Sequence, residues 1–285
     1  MSILIKDNLK RLVKNPILWV FTAIEALITI VYTYLVTHNM IHKGYVPKLE
    51  TVMFSGIAYE MIPILGFMII ILGISFIGSD YSAGNIKKKI IVGYSKESVY
   101  LSNFITLLIG AAIMLTARLI VFCLVALPSI REIDYRSSYL LAATTVVALS
   151  TVFYCAFATF LVTVCKSAKG SFVRFILFYL FLIIILIMLV NMMPQTYEPD
   201  YAKYSVLTGF EDYSKYTLPT DAAPKQLRDL TKVIYDALPM MQLSQISPES
   251  AFSPLCLWAI IPFSVVEILA FFFAGFFVAK KQNLN

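Results

Sequence analysis

The stretch SDYSAGNIKKKIIVGYSKESVY, residues 79–100, is a polar and basic insert between two long apolar runs. Its clustered lysines and hydroxyl side chains are poorly suited to hydrocarbon, so the chain leaves the apolar phase here. The residues before and after the insert either form runs long enough to cross a membrane or connect such runs. The insert is therefore the largest polar piece of the chain on its side of the membrane.

Composition places the chain among integral membrane proteins. Hydrophobic residues make up 59% of it, charged residues 14%, and the mean hydropathy is +0.80, far from the balance of a soluble domain. A helix needs about 20 apolar residues to cross ~30 Å of hydrocarbon. The runs that qualify are residues 17–36, 57–77, 104–127, 139–164, 172–193 and 255–279. They are continuously apolar, whereas barrel strands alternate over about 10 residues. The predicted fold is an all-α integral membrane protein with six transmembrane helices.

The order of the segments gives the predicted organisation. Residues 1–16 are predicted as an amphipathic interfacial helix, because apolar side chains recur there at helical spacing among charged ones. These apolar residues are Ile5, Leu9, Leu12 and Val13, and Pro16 marks a bend into the first span. Residues 17–193 hold spans one to five with the polar loop 79–100, residues 194–253 form an extracellular segment, and residues 254–285 hold the last span and a tail. Within the extracellular segment, residues 224–238 are expected to form a helix. The partner of its apolar face is the outer mouth, the membrane surface or an amphipathic substrate.

The distribution of basic residues predicts the orientation. Six spans place both termini on one side of the membrane, together with residues 79–102 and 165–171. That side carries 13 Lys and Arg residues against three acidic ones, Asp7, Asp80 and Glu97. The positive-inside rule makes it cytoplasmic. The net charge of +6 thus reflects membrane topology and gives no reason to expect a nucleic-acid partner.

The polar insert has the features of a short helix between two spans. Asp80 and Ser82 are suitable helix caps. Gly84 can break the descending helix, and Gly93 can end the next one. Between the glycines, the residues that form one apolar edge are Ile86, Ile90 and Ile91, amid Lys87, Lys88 and Lys89. The insert is therefore predicted to hold a short helix that lies across the membrane face.

Three motifs here carry a resemblance to a known family: DYSAGNIK at residues 80–87, GYSK at 93–96 and YLSN at 100–103. With the six spans and the amphipathic N-terminal helix, the insert resembles the coupling loop in permease subunits of bacterial type-2 ABC export transporters. Asn85 stands where Thr is commoner in that family. The resemblance covers the whole chain by topology and about residues 78–103 by residue pattern.

The resemblance implies a permease subunit in the bacterial plasma membrane that exports a peptide, a hydrophobic drug or another amphipathic molecule. It also implies a second permease chain, in a homodimer or a related heterodimer, and two separate ABC ATPase subunits that bind ATP and Mg. By the same resemblance the coupling residues are Asp80, Tyr81, Gly84, Asn85, Ile86 and Lys87. We expect Tyr81 and Ile86 to insert into a groove of the ATPase while the lysines stay peripheral.

Apart from Arg174, at the cytoplasmic edge of its run, four charged residues fall inside the apolar runs: Glu25, Glu60, Arg118 and Glu267. Arg118 lies well inside the third run, where an unpaired arginine costs at least ~2.5 kcal/mol. By depth, Glu60 and Glu267 are its candidate partners in a structural ion pair, and a polar lining for a substrate path is the alternative. Glu25 lies roughly 12 Å into the first span and has no obvious basic partner.

Two other function classes stay open beside the permease. A secondary transporter or channel could use the three carboxylates, although Pro63 and Pro262 are the only candidate breaks of the kind such folds contain. An intramembrane enzyme is the weaker alternative, because no HExxH or GxSxG motif occurs. Gly73 and Gly78 have the spacing of a phosphate-binding loop, but Ser79-Asp80 follows instead of Lys-Ser/Thr. We therefore expect no catalysis, metal or cofactor in this chain.

Overall fold

The structure is a computed structural model that describes residues 1–42, 48–50, 58–59, 61–126, 132–134, 137–192, 198–199, 216–217, 233–234, 237–238, 242 and 257–282. Its helices are α1 (Ser2–Val13), α2 (Pro16–His42), α3 (Ile62–Ser82), α4 (Asn85–Ile91), α5 (Lys96–Ala126), α6 (Ser137–Cys165), α7 (Ala168–Met192) and α8 (Leu257–Lys281). Its short strands are β1 (Lys48–Glu50), β2 (Glu132–Asp134), β3 (Glu198–Pro199) and β4 (Tyr216–Thr217). β1 pairs in parallel with β2, and β3 pairs antiparallel with β4.

Within the described residues, six helices are long and apolar enough to cross a membrane: α2, α3, α5, α6, α7 and α8. Each contains most of one predicted apolar run, so the predicted number of long apolar helices is confirmed. α5 begins at Lys96 rather than at residue 104, because Ser95 Oγ accepts the backbone N–H of Ser98 at 3.1 Å and starts the helix there. This is the architecture of an all-α, multi-pass membrane protein.

The centre of the bundle is formed by α3 and α6, whose side chains are mostly buried. α8 and α3 both pack on α6, and α2 packs on α5. Glycines let α3 approach its neighbours closely: a Cβ on Gly73 would lie 2.9 Å from Cβ of Ala158 and from Cδ2 of Leu107. A Cβ on Gly78 would lie 2.8 Å from Cα of Ala168. The glycine spacing that resembles a phosphate-binding loop is thus explained by helix packing.

The outer helices α2, α7 and α8 present apolar side chains outwards. Trp19, Leu27 and Tyr34 are exposed on α2, Val173, Leu177 and Phe181 on α7, and Val266 and Phe277 on α8. An exposed apolar surface of this extent matches the apolar interior of a bilayer or a partner helix. The three helices therefore form the periphery of the bundle.

The N-terminal helix α1 is present as predicted, but the residues on its buried face differ from the prediction. Its buried residues are Leu4, Asn8 and Leu12, whereas Val13 is exposed. α1 packs against α5, where a Cβ on Gly110 would lie 3.0 Å from Leu12 Cδ2. The buried face includes a polar residue because Asn8 finds hydrogen-bond partners on α4 and α5.

Candidate functional site

The short helix α4 lies between α3 and α5, as the sequence predicts. Gly84 precedes it with φ of +70°, a left-handed conformation that other residues adopt only at a steric cost. Gly93 follows it with φ of +106°. These two glycines let the chain leave α3, form α4 and return as α5. α1 and residue 282 lie at the same end of the bundle, which we call the α4 end.

Asp80, near the end of α3, holds α4 and α1 in place. Its carboxylate is 1% exposed and accepts hydrogen bonds from both terminal nitrogens of Arg11, with Nη1 at 2.8 Å from Oδ2. Lys89 Nζ donates to Oδ2 at 2.9 Å, and Asn85 Nδ2 donates to Oδ1 at 3.2 Å. We call these four residues the Asp80 cluster. It joins α1, α3 and α4 through charge-assisted hydrogen bonds, which are stronger than neutral ones.

Asn8 extends this cluster to α5. Its Oδ1 accepts from Lys89 Nζ at 3.0 Å, while its Nδ2 donates to Ser102 Oγ at 2.9 Å and to Asn103 Oδ1 at 3.1 Å. Since Lys89 bonds both Asp80 and Asn8, four helices share one hydrogen-bonded network. The guanidinium of Arg11 also lies 5.3 Å from the ring centre of Phe76, within the range of a cation–π contact.

The charge of Arg11 is stabilised by this arrangement. The hydrogen bonds to Asp80 raise the pKa of Arg11 above its ordinary value, because they favour the charged form of the guanidinium. One buried carboxylate thus faces two cations, Arg11 and Lys89. Removal of the carboxylate would leave both cations without their counter-ion.

Ile86, which we expected to insert into a groove of the ATPase, is buried within the chain itself. Ile86 is 3% exposed and packs in a small core with Leu4 and Val99. Tyr81 is half-buried, packs beside the same core, and donates its hydroxyl to Gln282 Oε1 at 3.5 Å. Both side chains therefore contribute to the bundle's own packing.

The exposed apolar side chains near α4 are instead Ile91, which is 83% exposed, and Val92, which is 77% exposed. Lys87 and Lys88 are exposed as well. The sequence interpretation placed Ile91 on the same edge as Ile86. At 3.6 residues per turn, however, a separation of five residues rotates a side chain by about 140°, away from the buried edge.

The last described residue of the chain, Gln282, fastens α8 to the α4 end. Its Nε2 donates to the carbonyl oxygen of Thr163 on α6, and its carbonyl oxygen accepts from Lys96 Nζ at 2.7 Å.

Sequence reasoning missed Gln282, Asn8 and the pairing of Arg11 and Lys89 with Asp80. Asn8 did leave a signal, because it shares a face with Leu4 and Leu12 at four-residue spacing.

The intramembrane arginine has a different partner from the one predicted. Arg118 Nη1 donates to Glu25 Oε2 at 2.9 Å, and Arg118 Nη2 donates to the carbonyl oxygen of Ala58 at 3.3 Å. Both members of the pair are fully buried. The expectation that Glu25 lacks a basic partner is wrong, and Glu267, one of the two predicted partners of Arg118, accepts from Gln242 instead. Glu60 itself lies outside the described residues.

The reason for this error is the position of α1. The depth comparison assumed that α1 lies flat at the surface and that α2 starts there. In the structure α1 runs alongside α5, with Asn8 at Ser102 and Leu12 at Gly110. α2 therefore starts further along α5, and Glu25 reaches the level of Arg118.

Glu267, the third carboxylate, lies on α8 and takes part in no ion pair among the described residues. Its oxygens accept from Gln242 Nε2 at 3.3 and 3.5 Å, and Ser264 Oγ donates to Gln242 Oε1 at 2.7 Å. The three intramembrane charges that the structure describes, Glu25, Arg118 and Glu267, are thus not one cluster. Two form a pair between α2 and α5, and Glu267 lies apart from them.

α4 has one side that is fixed to the bundle and one side that is exposed. One side of α4 is fixed to α1, α3 and α5 by the Asp80 cluster, Asn8 and Ile86, and the other side presents Ile91, Val92, Lys87 and Lys88. A displacement of α4 would therefore act on the spans with little slack.

A scan against models of known protein families and a search of curated proteins each found no match to this chain.

Proposed function

We propose that this chain is the membrane permease subunit of an ATP-driven ABC exporter, and that α4 is the surface on which a separate ATPase acts. The observation that carries the proposal is the exposed pair Ile91 and Val92 at the end of a short helix that is otherwise fixed to the bundle. An exposed apolar pair flanked by lysines is a common form of protein docking site, with an apolar centre and a polar rim.

The position of α4 supports this role mechanically. α3 ends at Ser82 and α5 begins at Lys96, so α4 is connected to two spans by only a few residues on each side. The Asp80 cluster adds a third helix, α1, to the same unit. A force on α4 then moves three helices together, which a flexible tether could not achieve.

The proposal includes the remaining parts of such a transporter. ATP and Mg would be bound by two partner ATPases, and a second permease chain would pack against the apolar periphery formed by α2, α7 or α8. The protein would lie in the bacterial plasma membrane with both termini in the cytoplasm, on the same side as α4. The lysines at that end agree with this orientation. The cargo would be a peptide, a hydrophobic drug or another amphipathic molecule.

The docking role predicts a large effect of the double substitution Ile91→Ser/Val92→Ser. Loss of an apolar anchor from the centre of an interface costs at least about 2 kcal/mol in binding, which is about 30-fold in dissociation constant. The tagged chain would be purified from its native membranes, and the co-purified ATP-hydrolysing activity would be measured. We expect the activity to be present with the unaltered chain and strongly reduced with the double variant.

Two control substitutions distinguish a loss of docking from the general effect of replacing an exposed residue. Ile3→Ser removes an exposed isoleucine from α1 at the same end of the bundle, and Lys88→Ala removes a charge from the rim. Both are expected to retain the co-purified activity. Unchanged activity with Ile91→Ser/Val92→Ser, or no ATPase with the unaltered chain, would contradict the proposal.

The proposed orientation is tested by single cysteines in a background without the native ones. Cysteines at Ser95 and Lys169 should react with a membrane-impermeant maleimide only when the cytoplasmic side is accessible. A cysteine at Ser214, in the segment between α7 and α8, should react only from outside. Reaction of residue 214 from the cytoplasmic side would contradict the six-span topology.

One observation favours a second candidate, an ion-coupled secondary transporter. Glu267 is a carboxylate within a spanning helix that has no basic partner among the described residues, and such groups can carry protons or cations. The two candidates differ in energy source. Transport that stops on ATP depletion while the membrane potential and pH gradient are maintained supports the ABC permease, and transport that follows the gradient supports the alternative.

A further inference from the structure

A cavity of about 310 Å³ lies between α3, α6, α7 and α8 and is also lined by Ala237 and Leu238. Of the sixteen described residues that line it, nine are aromatic, including Phe67, Phe157 and Phe271, and one, Glu267, is charged. A concave, mostly apolar space with few polar groups is the usual form of a small-molecule site.

Glu267 is held in a defined environment. Ser264 Oγ donates to Gln242 Oε1, which fixes the amide so that its Nε2 faces the carboxylate of Glu267. The intramembrane arginine, Arg118, is hydrogen-bonded to Glu25 and not to Glu267. A carboxylate in an apolar cavity that has one amide donor among the described residues favours a cation beside it, because burial of an uncompensated charge is costly.

A second polar group at the cavity is also available. Tyr154 is 4% exposed, lines the cavity, and its hydroxyl has no hydrogen-bond partner among the described residues. Buried hydroxyls are nearly always hydrogen-bonded, so an unpartnered one at a cavity wall indicates a place for a ligand or a water molecule.

The cavity reaches the outer surface of the bundle. Phe178 and Phe181 line it and are also among the exposed side chains of α7. A molecule dissolved in the apolar phase around α7 therefore has a route to Glu267 that does not pass through the α4 end. This route suits a lipophilic ligand.

We propose that this cavity binds a lipophilic organic cation, with the ammonium group beside Glu267 and the apolar part among the aromatic side chains. Aromatic faces attract cations by about 0.5–2 kcal/mol, and a carboxylate adds direct charge complementarity. An anion would be repelled by Glu267, and a neutral molecule would gain neither contribution. The proposal concerns binding by this chain alone and holds whether or not an ATPase acts on α4.

The test uses two ligands of nearly equal shape. Benzyltrimethylammonium carries a quaternary ammonium, and neopentylbenzene has a neutral carbon in the same place. Binding to the purified full chain in detergent micelles is measured by calorimetry, with empty micelles as the reference for partitioning. We expect saturable binding of one cation per chain and at least about tenfold weaker binding of the neutral molecule.

Glu267→Gln keeps the shape of the side chain and removes its charge. We expect it to weaken binding of the cation about tenfold and to leave binding of the neutral molecule unchanged, whereas Glu97→Gln, on the distant start of α5, should alter neither. Ile185→Trp, which fills the cavity from α7, should abolish binding of both and provides an independent test if Glu267→Gln folds poorly. Equal affinities for the two ligands, full affinity of Glu267→Gln, or no saturable binding to the unaltered chain would overturn the proposal.

Discussion

Asp80→Ala is expected to lower the free energy of unfolding by about 3 kcal/mol, because it removes the counter-ion from a buried charge cluster. Lys89 is only 12% exposed and would be left without its anionic partner. Arg11 is 36% exposed and can turn towards water, which limits its share of the loss. Equilibrium denaturation of the purified protein in micelles measures the difference. Amide hydrogen exchange should show the main loss of protection in α1 and α4.

The matched control for this substitution is Asp7→Ala. Asp7 is an exposed acidic residue on α1 that forms no ion pair in the described structure, so its removal should change stability by less than about 0.5 kcal/mol. The double variant Asp80→Ala/Lys89→Met should be more stable than Asp80→Ala alone, because it removes the stranded cation. If Asp80→Ala and Asp7→Ala were equally mild, the Asp80 cluster would not be what holds α4 to the bundle.

Arg118→Met is expected to cost about 3–5 kcal/mol, because it leaves the carboxylate of Glu25 buried without its cation. The double variant Glu25→Leu/Arg118→Met should recover much of this loss, since apolar residues of similar volume can replace a buried ion pair. Stability is again measured by equilibrium denaturation. The losses of stability caused by the two single substitutions should therefore not add up in the double variant.

Glu267→Gln provides the comparison for this pair. Combined with Arg118→Met, it should give additive losses, because Glu267 contacts Gln242 and not Arg118. Non-additive losses with Glu267 and additive losses with Glu25 would mean that the α2–α5 pairing is incorrect. The experiment thus distinguishes Glu267, which depth in the membrane suggests as the partner of Arg118, from Glu25, which bonds Arg118 in the structure.

The α4 region shows how far local sequence rules extend. Gly84 and Gly93 predicted the ends of α4, because the conformation of the backbone at a helix end depends on the residue that stands there. The sequence did not indicate which apolar side chains would be exposed and which would be buried. Ile86 is buried because Leu4 of α1 and Val99 of α5 pack over it, and that contact joins residues far apart in the chain.

The long apolar helices were determined by the sequence alone, because the backbone in hydrocarbon must satisfy its own hydrogen bonds and about 20 apolar residues then suffice to form a span. Only the tertiary structure decided which charges pair. The partners Arg118 and Glu25, and likewise Arg11 and Asp80, lie on different helices. Their pairing depends on how α1 packs along α5 and on where α2 then starts. Hydrophobicity sets the depth of a helix but not its neighbours, so the ion pairs could not be derived from residue spacing.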